Sequence, residues 1–130
     1  MPISEFETYH QSLLEKYYLC LTFLITPTTL PDRKAKIDKV TTGFIYVVSS
    51  NSITGKTSDF ESSIDAYLNR IGNMALTSKK IVGFGIHNKQ SFESATSHTD
   101  GAILGSAFLK SLSQQPTQKE IAQFIQNIKN

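Results

Sequence analysis

The chain has 130 residues, of which 39% are hydrophobic and 18% charged, and thirteen basic against eleven acidic side chains give a formal net charge of +2. That apolar share and small charge exclude intrinsic disorder, give no electrostatic reason to expect nucleic acid, and leave no apolar run near the length of a membrane span. The length suits one domain. Met1 is followed by Pro2 and a polar segment, not by the apolar core of a signal peptide. One cysteine, Cys20, has no intramolecular partner, which points to a reducing cytoplasm.

Ser4-Glu5-Phe6-Glu7 has the form of a capping box and predicts a helix to about Lys16, with Ile3, Phe6, Leu13 and Tyr17 on one face. Leu19–Thr26 is a near-continuous apolar run closed by Pro27; it predicts a strand covered on both faces, with Cys20 buried in it. Pro31 opens a second helix with Ile37 and Val40 inward. Gly43–Ser49 is a second strand, rich in β-branched and aromatic residues. The polar stretch Ser50–Thr57 reads as a long loop.

A second capping box, Ser58–Glu61, starts a helix that carries Phe60, Ile64, Leu68 and Ile71 at helical spacing. Lys80–Ile86 is a third strand, interrupted by two glycines. Asn88 caps a short helix with Phe92 and Ala95. Gly101–Leu104 is a fourth strand, and Gly105-Ser106 leads straight into a helical turn. Pro116 and the box Thr117–Glu120 start a last helix with an apolar stripe of Ile121, Phe124, Ile125 and Ile128. A helix followed by four strand–helix units predicts an α/β fold with a parallel sheet and crossover helices.

In parallel α/β folds ligands bind at the carboxyl ends of strands. The segments there carry Gly55, Gly85 and Gly105, and glycine lets backbone amides approach an anion. Gly105-Ser106 stands at a helix start, whose free amides and dipole suit a phosphate, and the Ser106 hydroxyl can add a donor. Tight turns and close packing account for the same glycines. Tyr46 and Phe84 read either as core filling or as a flat wall for an aromatic ligand. Thr54 in the polar loop reads as ordinary solvated loop or as a ligand contact.

The three histidines lack metal-ligand spacing, so no metal is expected. Asp32, Asp38, Asp59, Glu61, Asp65 and Glu93 fall in helices or their caps. None falls at a strand's carboxyl end, where a barrel enzyme keeps its acid and base. No catalytic residue and no cofactor is therefore assigned.

Thr42–Ser49 followed by Ile53-Thr54-Gly55 resembles the sixth strand and mobile loop of the tryptophan synthase alpha chain family. Ile81–Ile86 resembles its seventh strand, Gly101–Phe108 its eighth strand and phosphate-binding helix start, and Phe23–Pro27 its fifth strand. The resemblance runs in register over nearly the whole chain. It implies a (β/α)8 (TIM) barrel that cleaves indole-3-glycerol phosphate to indole and glyceraldehyde 3-phosphate and passes the indole to a beta chain. On this resemblance Gly55, Gly85, Gly105 and Ser106 contact the substrate phosphate. Ile25, Tyr46 and Phe84 line the indole pocket, Thr54 closes over the site, and Pro2 lies in a loop facing the beta chain.

A full barrel needs about 250 residues, so residues 1–130 are expected to form a single partial domain, the carboxyl-terminal half-barrel of strands five to eight. The family's two catalytic carboxylates come from the other half and have no counterpart here. The chain alone is expected to be inactive, and its open strand edges to drive self-association. The alternative is a non-enzymatic half-barrel module that binds phosphate esters or associates with another chain.

Overall fold

The structure, a computed structural model, describes residues 2–48, 57–83 and 85–129, and the side chains among these outside 57–63. Three helical stretches, α1 (Ile3–Glu5), a π-helical turn (Phe6–His10) and α2 (Gln11–Lys16), run on as one leading segment. Then come β1 (Phe23–Ile25), α3 (Pro31–Val40), β2 (Ile45–Val48), α4 (Thr57–Gly72), β3 (Lys80–Gly83), α5 (Lys89–Thr96), β4 (Gly101–Ile103), α6 (Ser106–Ser111) and α7 (Gln118–Lys129). The strands form one parallel sheet in the order β1-β2-β3-β4. This is the parallel α/β half-barrel expected from the alternation of apolar runs and helical patterns.

The strands are shorter than the apolar runs that announce them. Leu19–Thr22 does not join the sheet. Tyr18 takes a left-handed backbone (φ 54°) after the leading segment, and Leu21 is instead tied to the next turn by Gly43 N–H to Leu21 O at 2.8 Å and Leu21 N–H to Thr42 Oγ1 at 2.8 Å. Cys20, expected to be buried, is consequently exposed. Ser4 does not cap the first helix either. The cap position falls on Pro2, which makes no side-chain bond, and the Thr8 hydroxyl donates to Ser4 O. The cap expected at Asn88 forms, as a reciprocal box with Ser91, and the expected Thr117–Glu120 box forms too, while the Ser58–Glu61 box lies outside the described side chains. Asn88 Oδ1 accepts Ser91 N–H at 2.8 Å, and Thr117 N–H donates to Glu120 Oε2 at 2.7 Å, each satisfying an otherwise orphaned amide.

Pairing aligns Phe23 with Ile45 and Lys80, and Ile25 with Val47, Val82 and Ala102. Residues level across a parallel sheet point to the same side. On this side Phe23, Ile25, Ile45, Val47 and Val82 are buried against Phe6, Ile37, Leu68, Ile71 and Ala95 of the helices. Burial of such side chains is worth about 1.5–3 kcal/mol each, so the sheet's helix face holds the fold together. Between α3 and α4, Lys34 Nζ and the Arg70 guanidinium each lie 5.8 Å from the Tyr67 ring. Burial pushes the Tyr67 phenol up to about 12 and lowers the Lys34 ammonium, with help from Arg70.

Two carboxylates pin the amino-terminal ends of the strands. Asp38 of α3 accepts the amides of Thr77 (2.9 Å) and Ser78 (2.8 Å) just ahead of β3. Burial raises its proton affinity, but the hydrogen bonds from Thr77 and Ser78 outweigh that and hold the carboxyl below its usual range. Asp100, just ahead of β4, accepts the Lys80 amide at 2.8 Å and the Lys79 ammonium at 2.9 Å. Those bonds, the Lys80 amide first, hold it low as well.

Candidate functional site

The opposite, carboxyl-terminal ends of the strands bear Gly85, Gly105 and Ser106. β3 ends at Gly83, level with Val48 of β2 and Ile103 of β4. Gly85 and Gly105 therefore each stand two residues beyond a matched pair, on adjacent strands. Gly85 has φ 79°, a left-handed conformation that side chains with a Cβ rarely adopt. The turn it makes is held by His87 Nδ1 against Gly85 O at 2.7 Å. The His87 amide donates to Ser91 Oγ at 3.0 Å and the Asn88 amide to the same oxygen at 3.1 Å.

Gly105 caps α6 with a negative φ, so handedness does not demand glycine there. A Cβ at Gly105 would meet nothing within 4 Å, which leaves the start of α6 open. The first intrahelical bond runs from Leu109 N–H to Gly105 O at 3.0 Å. The preceding amides, from Ser106 on, are the ones a helix start leaves for an outside acceptor. Ser106 is exposed beside them.

Tyr46 lies level with Leu24 and Ile81 on the sheet face turned away from the helices. It is half-buried. Its phenol lies across the neighbouring strand at Gly83, where any Cβ would collide with the Tyr46 ring and hydroxyl. Glycine at position 83 thus makes room for Tyr46. Ile25 is fully buried among Ile37, Ile45 and Val47 on the helix face, so it stands on the other side of the sheet from Tyr46. Leu24, 59% exposed, occupies the place beside Tyr46 instead. Phe84, Thr54 and Gly55 lie outside the described residues.

Sequence reasoning missed Leu24, Gly83 and Ser91. Strand alternation counted back from Tyr46 through the register would have found Leu24, but the register is not readable from one strand. Asn-x-x-Ser at Asn88–Ser91 was a legible signal for the reciprocal cap. Among the described residues no three His, Cys, Asp or Glu side chains gather to hold a metal ion, and no helix is long and apolar enough to cross a membrane.

A one-sided parallel sheet with an open helix start at its carboxyl edge defines a class: part of a β/α barrel, a fold whose sites lie at the strand ends. The family model described as Tryptophan synthase alpha chain matches residues 1–130, and the chain belongs to that family. It is 44% identical to the tryptophan synthase alpha chain of Flavobacterium johnsoniae over 129 residues, covering 99% of this chain and 51% of that one. It is 41% identical to that of Christiangramia forsetii, over 99% of this chain and 50% of the relative. The chain thus spans about half the length of the curated relatives it matches. Its fold superposes on the tryptophan synthase subunit alpha of Campylobacter jejuni with a TM-score of 0.75 at 29% identity, covering 98% of this chain and 50% of that one.

Proposed function

We propose that this chain is the carboxyl-terminal half-barrel of a tryptophan synthase alpha chain. It supplies the phosphate site and one wall of the indole pocket for cleavage of indole-3-glycerol phosphate. The observation that carries this is the pairing of Gly85 and Gly105 at the ends of adjacent strands. One is locked in a left-handed turn, and the other opens a helix start with free space before it. A phosphate there accepts backbone amides and the Ser106 hydroxyl, and the helix dipole adds to the attraction. Gly55 completes the phosphate contacts and Thr54 closes over the site. Tyr46, Phe84 and Leu24 face the indole, with Ile25 supporting the wall from behind. Pro2 faces a tryptophan synthase beta chain, which takes the indole in the cytoplasm.

The acid and base are contributed by the other half of the barrel. Asp38 and Asp100, the carboxylates that clamp the strand entrances, work at the far ends of the strands. Removing a positioned acid or base costs about 10²–10⁴ in rate, so the chain alone is inactive. The test is indole release from indole-3-glycerol phosphate by the chain alone, and by the chain with the remaining half of the Flavobacterium johnsoniae relative. Silence alone and turnover with the complement support the reading; turnover by the chain alone overturns the assignment of acid and base.

The open helix start also suits a second reading, a non-enzymatic module that binds phosphate esters. Saturable binding of indole-3-glycerol phosphate with no turnover in any combination favours that module.

A further inference from the structure

Resting on the reading of the strand ends as a phosphate site, we propose that His87 is a positioning residue: its ring, through a proton on Nδ1, locks the Gly85 turn in the shape that meets the phosphate. Glycine has more backbone freedom to lose than any other residue, so a turn built on Gly85 needs a hold from outside. Gly85 is exposed at φ 79° and stands two residues past the last paired position of β3. Among the described residues the donor that meets Gly85 O is His87 Nδ1, at 2.7 Å.

A backbone carbonyl only accepts, so at that distance Nδ1 carries the proton. A neutral imidazole can carry its proton on either nitrogen, and the hydrogen-bond partner decides between them. Here Gly85 O makes the choice. His98 makes the opposite one. Its Nε2 lies 3.3 Å from Asp65 Oδ1, an ionised carboxylate only accepts, and the His98 proton therefore sits on Nε2.

The hold is anchored behind the ring as well. The His87 amide donates to Ser91 Oγ at 3.0 Å, and that hydroxyl donates in turn to Asn88 O at 2.9 Å. The Ser91 amide is taken by Asn88 Oδ1 at 2.8 Å in the reciprocal cap of α5. That helix packs on α4 and β4 and buries Ala95, so the place of the His87 ring is set by a packed helix start. In a trans peptide the carbonyl and the following amide point opposite ways. Fixing Gly85 O therefore fixes the Ile86 N–H on the side away from the imidazole, and that amide meets no acceptor among the described residues. A donor held in place before the ligand arrives spares the ordering cost at binding.

The test titrates the chain with inorganic phosphate and follows the Gly85, Ile86 and Ser106 amides by NMR, together with the ring nitrogens of His87 and His98 in their neutral forms. His87 should carry its proton on Nδ1 and His98 on Nε2. His87→Asn places a side-chain N–H where Nδ1 stands, and His87→Gln places one where Nε2 stands. Both change an exposed side chain and keep the backbone bond to Ser91, so both should preserve the circular dichroism of the chain. His87→Asn should keep the Gly85 and Ile86 signals and the phosphate affinity near those of the unsubstituted chain. His87→Gln should shift both signals and weaken phosphate binding about three- to tenfold. A proton on Nε2 of His87, or Gly85 signals and phosphate affinities alike in the two variants, overturns the proposal. Phosphate that binds none of the three proteins sinks the phosphate reading instead, and the His87 proton and the Gly85 signal then still decide whether the ring holds the turn.

Discussion

Leu24 and Ile25 are neighbours on one strand with nearly the same chemistry and opposite fates. Ile25 is fully buried against the helices, and Leu24 is 59% exposed on the other side of the sheet. The two faces of the sheet serve different ends. The helix face is a finished core that the chain covers by itself. The inner face bears Tyr46 and the approach to the strand ends, and the chain leaves it bare. Local folding information is thus complete on one face, and the site depends on what arrives at the other.

The sharpest way to break the comparison is a pair of truncations. Ile45→Ala, on the helix face, should cost about 2–5 kcal/mol, while Leu24→Ala should stay within about 0.5 kcal/mol, both read by chemical denaturation of the isolated chain. Equal losses would mean that the inner face is covered after all. Next is Gly83→Ala, where the new methyl meets the Tyr46 phenol. Overpacking of this kind costs about 1–3 kcal/mol. The cost should fall sharply in a Tyr46→Ala background, and additivity of the two changes would separate the residues.

Acid should act through the pinned strand entrances and not through the faces. Asp38 and Asp100 bind protons more weakly folded than unfolded. Their contribution is therefore complete above the ordinary carboxyl value of 3.8 and is lost as pH falls through their lower folded values. Asp38→Ala should remove about 1 kcal/mol at neutral pH, since the site is partly solvated, and flatten the stability–pH curve below pH 4. A curve unchanged in shape would show that the clamp is not what acid releases. The smallest effect belongs to Gly105→Ala. With nothing within 4 Å of its Cβ it should leave stability within about 0.5 kcal/mol and weaken phosphate-ester binding by the closed barrel.

The parallel sheet and the helix-face core were legible because apolar runs and helical periodicity are local signals, whereas the strand order followed only from the family resemblance. Ile37, Leu68 and Ile71 could be read from spacing alone. Strand ends were not, because Leu19–Thr22 is as apolar as Phe23–Ile25 and only the left-handed turn at Tyr18 and the bonds to Thr42 and Gly43 hold it off the sheet. Gly85 and Gly105-Ser106 could be read as turn and helix start. The placement of Ile25 behind Leu24, and the use of Gly83 as space for Tyr46, depend on inter-strand register, which one sequence does not carry.

The most direct measurement of the two-faced account is hydrogen exchange of the chain before and after it meets the remaining half of the Flavobacterium johnsoniae relative. The account predicts that amides at the edges, in β1 (Phe23–Ile25) and β4 (Gly101–Ile103), become strongly protected on mixing, while those at the centre of α3 and the buried end of α4 change little. Edge strands already protected in the isolated chain, or unprotected in the mixture, would contradict it.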